Sequence, residues 1–593
     1  MTRGYGPTPG RWRAALGSAW LLTAALTLSV PVASDAAEVP GGPVATHVVR
    51  ADAGAIEPVL GHIRTIGGSV SRTLPALDTV VAELSPGQVA DLADEPGITS
   101  VTPDAGLQLA STTYDAQADA DSMYSIATVV GARDTWSRFT GRGIDIALID
   151  SGVSAVAGLD GPGKVVNGPD LSFDSQHPTL RHLDTFGHGT HMAGIMAGRD
   201  RSADPAKTVA TDATSYLGVA PDARVVSLKV ADAYGATDVS QVLAAIDWVV
   251  QHGRQNGMNV RVLNLSFSVP PRQPYEVDPL SHAVEVAWRN GIVVVASAGN
   301  DGTGTGSLGN PAYNPRVLAV GAVESNGTRD TADDVIPAWS SRGTIERSPD
   351  IVAPGAHVQG LRVTGSFIDH QYGAGPGSIN ARFFRGSGTS QAAAVVSGAA
   401  AVLLEQRPSL TPDQVKALLT TTARKLPAAD PQASGKGLLD IKRAIQTATP
   451  IGMQSAAAST GTGSLELARG GRHLVRNGVP LRGEQDIFGK PYTAELQAAK
   501  STSLSSWSSG VWNGSTWTGA SWDGVSWDGV SWDGVSWDGV SWDGVSWDGV
   551  SWDGVSWDGV SWNGVSWNGV SWDGVSWNGV SWSSQTWATA GWR

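Results

Sequence analysis

The sequence predicts an α/β protein: a three-layer sandwich around a mainly parallel sheet, preceded by a small α+β domain and followed by a repeat tail that is either β-type or disordered. Three observations carry this. Apolar runs at 144–149, 224–230, 260–267, 292–298 and 317–323 are nearly continuous, as strands covered on both faces must be. Amphipathic stretches lie between them, notably 239–252 behind Asp238 and 281–289 behind Asp278, each acid standing where a helix cap belongs. Tryptophan recurs every five residues from Trp507 to Trp592, which no globular core requires. At 593 residues the chain exceeds what one core organises, so several segments are expected.

The first segment, 1–36, reads as a secretory signal. Arg3, Arg11 and Arg13 precede an apolar run over 14–30, then Pro31 and the small-residue stretch Ala33-Ser34-Asp35-Ala36. A membrane anchor fits less well, because the run is short and contains Ser18, Thr23, Thr27 and Ser29. Trp12 separates Arg11 from Arg13, so no twin-arginine signal is indicated.

Residues 44–110 alternate strand-like and helix-like stretches: 47–49, a helix over 55–66, a strand over 79–84, a helix over 86–92 and a strand over 98–101. Ser85 with Pro86 opens the second helix, a capping serine before a proline at the first helical position. The sandwich spans 120–448. Residues 449–506 read as a linker with a little structure, and 507–593 as the tail.

Composition excludes some chemistry. With no cysteine there is no disulfide framework, thiolate metal site or cysteine nucleophile. The net charge of −14 argues against a nucleic-acid partner, whose phosphates demand Lys and Arg. Nine Asp and one Arg put −8 of this beyond residue 507.

Three blocks sit where α/β sheets place reactive groups, at a strand's carboxyl end or the next helix's start. Asp150 ends the apolar strand in Ile149-Asp150-Ser151-Gly152, although a turn or cap would explain it alone. His188, in Gly187-His188-Gly189-Thr190-His191, is flanked by glycines that leave its ring accessible, which suits a general base. His191 reads as a packed helix residue. The two imidazoles lack the glutamate of a zinc-helix motif, and no metal site is expected. Ser390, in Gly386-Ser387-Gly388-Thr389-Ser390, opens an alanine-rich helix whose dipole favours an anion there, although capping would also account for a serine.

Taken together, Asp150, His188 and Ser390 in this order and with these flanks resemble the subtilisin-like serine proteases, the subtilase family. Gly218-Val219-Ala220-Pro221, Leu263-Asn264-Leu265-Ser266, Ala298-Gly299-Asn300-Asp301, Trp339-Ser340-Ser341-Arg342-Gly343 and Val352-Ala353-Pro354-Gly355 continue the likeness over about 130–448. Residues 44–110 resemble the family's inhibitory prodomain. The resemblance implies a secreted endopeptidase, extracellular or attached to the cell surface. It is made as a precursor, with Ser390 as nucleophile, His188 as base, Asp150 as its orienting partner, and the Asn300 amide with the Ser390 N–H as oxyanion donors. It further implies a peptide substrate held as an added strand between Gly235-Ala236-Thr237 and Ser266-Phe267-Ser268. Self-cleavage is expected between 107 and 113. The prodomain is then a partner in inhibition, and other partners are protein or peptide substrates. No cofactor is expected; relatives often bind calcium, but no contiguous acidic loop names a site.

The chain departs from the family at Thr237 and Ser268, where relatives often carry glycine, and at Gln391 and Ala394, where Met and Pro are common. Gly304, Gly306 and Gly309 mimic a dinucleotide-binding loop, but Pro311 and Pro315 follow where its helix should start, so the segment reads as a loop lining the cleft. Asp-Gly and Asn-Gly turns between Val-Ser-Trp triplets make the tail a tight meander or a solenoid, with cell envelope or polysaccharide as its partner, or else a spacer that never packs. Two rival functions stay open: a surface-binding repeat protein with a non-catalytic protease-like scaffold, and a module that binds peptides without cutting them.

Overall fold

The computed structural model describes residues 44–93, 95–104, 114–203, 215–302, 308–426, 429–476 and 479–518, with the backbone of short segments between 530 and 568. The signal-like segment, the expected cleavage stretch, Gly304, Gly306 and most of the repeats lie outside the described residues. The chain divides into two compact units, Met1–Thr112 and Thr113–Arg593.

The first unit is a four-stranded antiparallel sheet with two helices. Its elements are β1 (Ala45–Ala51), α1 (Ile56–Thr65), β2 (Ser69–Leu74), β3 (Thr79–Leu84), α2 (Pro86–Ala93) and β4 (Ile98–Pro103), in the sheet order β2-β3-β1-β4. Val49, Ile63, Val80, Ala82, Leu84 and Leu92 form its core, each such apolar side chain contributing about 1–3 kcal/mol by leaving water. Ser85 caps α2 as expected, and the Gln88 side chain returns an acceptor to the Ser85 N–H at 2.8 Å. The expected strands and helices are present. The additional strand β2, an edge strand of mostly exposed residues, has no apolar alternation to announce it.

The second unit is built on a seven-stranded parallel sheet. Its strands are β5 (Asp145–Asp150), β6 (Val165–Asp170), β7 (Arg224–Lys229), β8 (Val260–Leu265), β9 (Val293–Ser297), β10 (Leu318–Val323) and β11 (Ile351–Pro354), in the order β11-β10-β9-β8-β5-β7-β6. Every residue of β5, β8, β9 and β10 is buried, which is why these strands are largely apolar. Helix α3 (Met123–Val129) precedes the sheet, and α4 (His188–Ala197), α5 (Val239–His252) and α6 (Pro279–Arg289) lie between its strands in sequence. Asp238 caps α5 in a full capping box with Gln241, and Asp278 caps α6 with Pro279 at its start. After β11 come β12 (Val358–Leu361), α7 (Phe367–Tyr372), β13 (Phe383–Gly386) and α8 (Thr389–Gln406). Helix α8 packs on β8, β9 and β10 and is buried on all sides from Thr389 to Leu404, so its alanines show no amphipathic stripe. The topology changes direction between β5 and β8. The crevice at their carboxyl ends therefore lies where Asp150 and Ser266 emerge.

The expected linker is the main correction. Residues 449–518 lie against α5 and α6 through specific long-range contacts. The Arg469 side chain, 1% exposed, donates from Nε to Asp238 Oδ2 at 2.7 Å and from a terminal nitrogen to the Gly483 carbonyl at 2.7 Å. The His282 ring bonds the Ser459 carbonyl at 2.9 Å and the Ala498 carbonyl at 3.2 Å, tying α6 to the helix Ala494–Thr502. The first three repeat tryptophans belong to this packing: Trp507 Nε1 donates to the Ala244 carbonyl at 2.8 Å, Trp512 Nε1 to Asp247 Oδ2 at 2.8 Å, and Trp517 Nε1 to the Trp512 carbonyl at 3.0 Å. Little in the local sequence marks the segment as ordered, because several of its partners are distant, such as His282, 177 residues from Ser459.

Trp507–Ser508, Val511–Trp512 and Ser515–Thr516 make an antiparallel meander. Farther on, Trp537 pairs in parallel with Trp557, Trp542 with Trp562 and Trp547 with Trp567, a constant offset of four pentapeptides.

Candidate active site

Asp150 is the last residue of β5 and is completely buried. Its Oδ1 accepts the Ser151 N–H at 2.8 Å, and His188 Nδ1 lies 2.8 Å from Oδ1 and 3.0 Å from Oδ2. Burial pushes the Asp150 carboxyl above its ordinary range, while His188 and the Ser151 N–H oppose the rise. The imidazole is therefore held by a two-oxygen contact in a dry environment, with Nδ1 committed to the carboxylate.

His188 is placed by the start of α4. Gly187 caps the helix at φ 104°, and a Cβ on Gly189 would lie 2.1 Å from the Gly152 carbonyl, so only glycine lets α4 approach the Asp150 loop. Asp184, not singled out from the sequence, organises this junction. Its carboxylate accepts the Gly187 N–H at 2.7 Å, the Thr190 N–H at 2.7 Å and the Ser151 hydroxyl at 2.7 Å. Lys229, at the end of β7, was also missed. Its buried ammonium donates to the carbonyls of Ser151 (3.0 Å) and Leu183 (2.6 Å) and to Thr185 Oγ1 (3.0 Å), and pairs with Asp174 at 2.8 Å. Asp184 stands four residues before His188, a proximity that could have flagged it; Lys229 had no local signal. His191 is buried, as expected of a packed helix residue: burial pushes its imidazole down to about 3, with Nε2 3.3 Å from the Phe384 carbonyl.

Ser390 occupies the second position of α8, in the first turn where a backbone N–H has no acceptor within the helix. Its hydroxyl donates to the Ser266 carbonyl at 2.9 Å, and the Ser266 hydroxyl returns a bond to the Ser390 carbonyl at 3.2 Å. The nucleophile candidate is thus seated against the segment expected to hold substrate, and rotation about a single bond redirects its proton. Asn300 follows β9. Its Oδ1 accepts both the N–H (2.9 Å) and the hydroxyl (3.0 Å) of Thr389, which leaves the Nδ2 end as the donor for another acceptor. Thr389, also missed, fixes that orientation.

The two expected substrate segments emerge beside these groups. Ala236 is pinned by Asp232, whose Oδ1 accepts the Ala236 N–H at 2.9 Å and whose N–H donates to the Ala236 carbonyl at 3.1 Å; Gly235 turns at φ 76° and Thr237 leads into the capping box. Ser266, Phe267 and Ser268 continue from β8, and a Cβ on Gly309 would lie 2.4 Å from that of Ser268. Among the described residues, no group of three or more His, Asp or Glu side chains is arranged to hold a metal ion.

The structure brings Asp150 and His188 into contact at the carboxyl end of the parallel sheet and places Ser390 at the start of α8, its hydroxyl on the Ser266 carbonyl. A family model described as "Subtilase family" matches residues 141–450, and one described as "Putative peptidase inhibitor domain" matches residues 27–104. Serine protease AprX of Bacillus subtilis (strain 168) is 31% identical over 312 residues, which cover 52% of this chain and 67% of that protein. Subtilisin of Bacillus pumilus is 31% identical over 310 residues, 52% of this chain and 93% of that protein. The crystal structure of fervidolysin from Fervidobacterium pennivorans aligns at 23% identity with a TM-score of 0.45, covering 70% of this chain and 63% of that one. The chain belongs to the subtilase family. It is a serine-type endopeptidase with an inhibitory propeptide domain, acting on protein or peptide substrates.

Proposed function

We propose that Asp150, His188 and Ser390 are the catalytic triad of this endopeptidase, with Asn300 and the Ser390 N–H as its oxyanion donors. The observation that carries this is the buried contact of His188 Nδ1 with both Asp150 oxygens, at 2.8 and 3.0 Å. Ser390 Oγ attacks the scissile carbonyl carbon as His188 Nε2 takes its proton, and Asp150 stabilises the imidazolium that results. Negative charge moves onto the carbonyl oxygen, where Asn300 Nδ2 and the helix-terminal N–H donate to it. The imidazolium then protonates the leaving amine, and the C–N bond breaks to give the acyl-enzyme. Water, deprotonated by the same imidazole, attacks the ester and releases Ser390. Nucleophile, base and donors all come from the chain, so no step needs a cofactor.

Peptide substrates lie between Gly235-Ala236-Thr237 and Ser266-Phe267-Ser268. The chain is exported as a precursor with a signal at 1–36, and Ser390 removes the prodomain, 44–110, by cutting between 107 and 113. The uniform repeats retain the enzyme at a cell envelope or polysaccharide by many weak contacts. Expression of the full chain beside Ser390→Ala tests the reading. The parent loses its prodomain and hydrolyses casein, whereas the variant remains a precursor; equal processing and turnover in both would remove Ser390 from the role.

A further inference from the structure

The subtilase match ends at residue 450, yet one turn beyond it touches the outer ends of both segments read as holding substrate. Arg469 Nε reaches Asp238 Oδ2 at 2.7 Å, one residue past Thr237. The next residue, Gly470, at φ 66°, lies against Val269 and Pro270, which directly follow Ser268: a Cβ there would stand 2.8 Å from the Pro270 carbonyl oxygen and 2.8 Å from Val269 Cβ. Gly471, at φ 86°, approaches Arg272 so closely that a Cβ would lie 2.7 Å from its guanidinium. Only glycine permits such contact at a positive φ, so the turn is fitted to this place.

The cleft's outer end is therefore bounded by residues that the matched body does not supply. Ser266 touches the Ser390 hydroxyl, and from there the chain runs outward to Val269 at about 3.3 Å per residue, or roughly 10 Å. A peptide lying along Ser266–Ser268 meets the turn three to four residues from its scissile bond.

We infer that the turn at 469–471 is a specificity-determining wall of the substrate cleft. Arg469 is its positioning residue: it holds the two substrate segments at a fixed spacing, so that peptides long enough to span them are preferred over short ones. This rests on the reading of those segments as substrate-binding. Arg469 touches no reacting atom. The interior ion pair locks the end of one segment to the extension, the glycine contact locks the end of the other, and both locks lie within three residues of each other in sequence.

The experiment uses the full chain and chromogenic peptides carrying one to five residues on the acyl side of the scissile bond. In the parent, kcat/KM rises steeply once the fourth residue is present. In Arg469→Met that rise falls at least tenfold, through KM, a clearly larger loss than the two-residue substrate shows. Arg469→Lys recovers part of the rise, since it restores the charge without the fork. Gly470→Ala, which pushes the turn off Val269 and Pro270, lowers the same rise and keeps the reading testable if Arg469→Met does not fold. A parent with no dependence on length, or variants that lose activity equally on every length, would overturn the inference. Failure of the protease reading looks different: parent and Ser390→Ala would then be alike on the shortest substrate.

Discussion

The catalytic body and the segment that follows it share one apolar core but differ in the buried polar contacts that the segment's attachment adds to it. From β5 to α8, order comes from apolar strands and a helix sunk in a continuous core, in which no single contact is indispensable. Between 449 and 518, apolar side chains such as Leu465, Leu481, Ile487 and Trp512 join that same core, and buried polar contacts add to it, among them the Arg469–Asp238 pair and the indole N–H bonds of Trp507 and Trp512 to acceptors on α5. A spread-out core tolerates loss by degrees. A few buried polar contacts fail together, because each leaves a partner stranded away from water.

The sharpest way to break this contrast is truncation. A chain ending at 448 leaves the Asp238 carboxylate buried without its guanidinium, at a cost of about 3–5 kcal/mol, and uncovers the faces of α5 and α6. It is expected to lack a cooperative unfolding transition and peptide activity. A chain ending at 518 keeps every one of those contacts and retains peptide activity, losing only what the uniform repeats provide, such as retention on insoluble glycan or cell-envelope supports. Paired thermal melts and peptide assays separate the two; full activity in the shorter chain would return residues 449–518 to the status of a linker.

The body has its own weak point, at acid pH. Unfolded His191 takes a proton near 6.5, whereas the folded imidazole refuses it until about 3. Its contribution to stability is present above 6.5 and is lost at about 1.4 kcal/mol per pH unit as the pH falls towards 3. His191→Gln is expected to flatten this part of the stability–pH curve in urea unfolding series. An unchanged slope would show that other groups govern acid loss.

Catalytic effects come next. Asn300→Ala is expected to lower kcat roughly a hundred- to a thousand-fold, a magnitude carried over from the same role in subtilisin, with KM nearly unchanged, because the donor acts on charge present only in the transition state. A change confined to KM would reassign Asn300 to substrate binding. Smallest of all is the effect of peroxide. With Gln391 in place of a methionine beside the nucleophile there is no thioether to oxidise, and activity should survive mild treatment. Rapid loss while Ser390 remains titratable would place the sensitive group elsewhere.

The same contrast explains what could be read from the chain alone. Strands β5, β7, β8, β9 and β10 declare themselves because burial on both faces makes their middles runs of apolar residues. Strand β6 contains Asn167, Gly168, Pro169 and Asp170, and β11 has only four residues, so neither stands out by periodicity. Asp150, His188, Ser390 and Asn300 are conspicuous because each lies within a short run of glycines and small residues at a strand or helix end. Lys229 and Thr389 are not, since their importance lies in acceptors that only the folded chain assembles. Arg469 is the extreme case: an arginine in a polar segment, indistinguishable in sequence from a solvated one, has its partner 231 positions away.

Lys229 has a consequence outside catalysis. Four oxygens, from Ser151, Leu183, Thr185 and Asp174, surround its ammonium and join the loop after Asp150 to the loop before His188. A dissociable ion doing this would be in equilibrium with the medium and would leave on dilution or in a chelator. A cation carried on a side chain cannot be leached. The alignment of these two loops is therefore independent of the ionic make-up of whatever surroundings the enzyme works in.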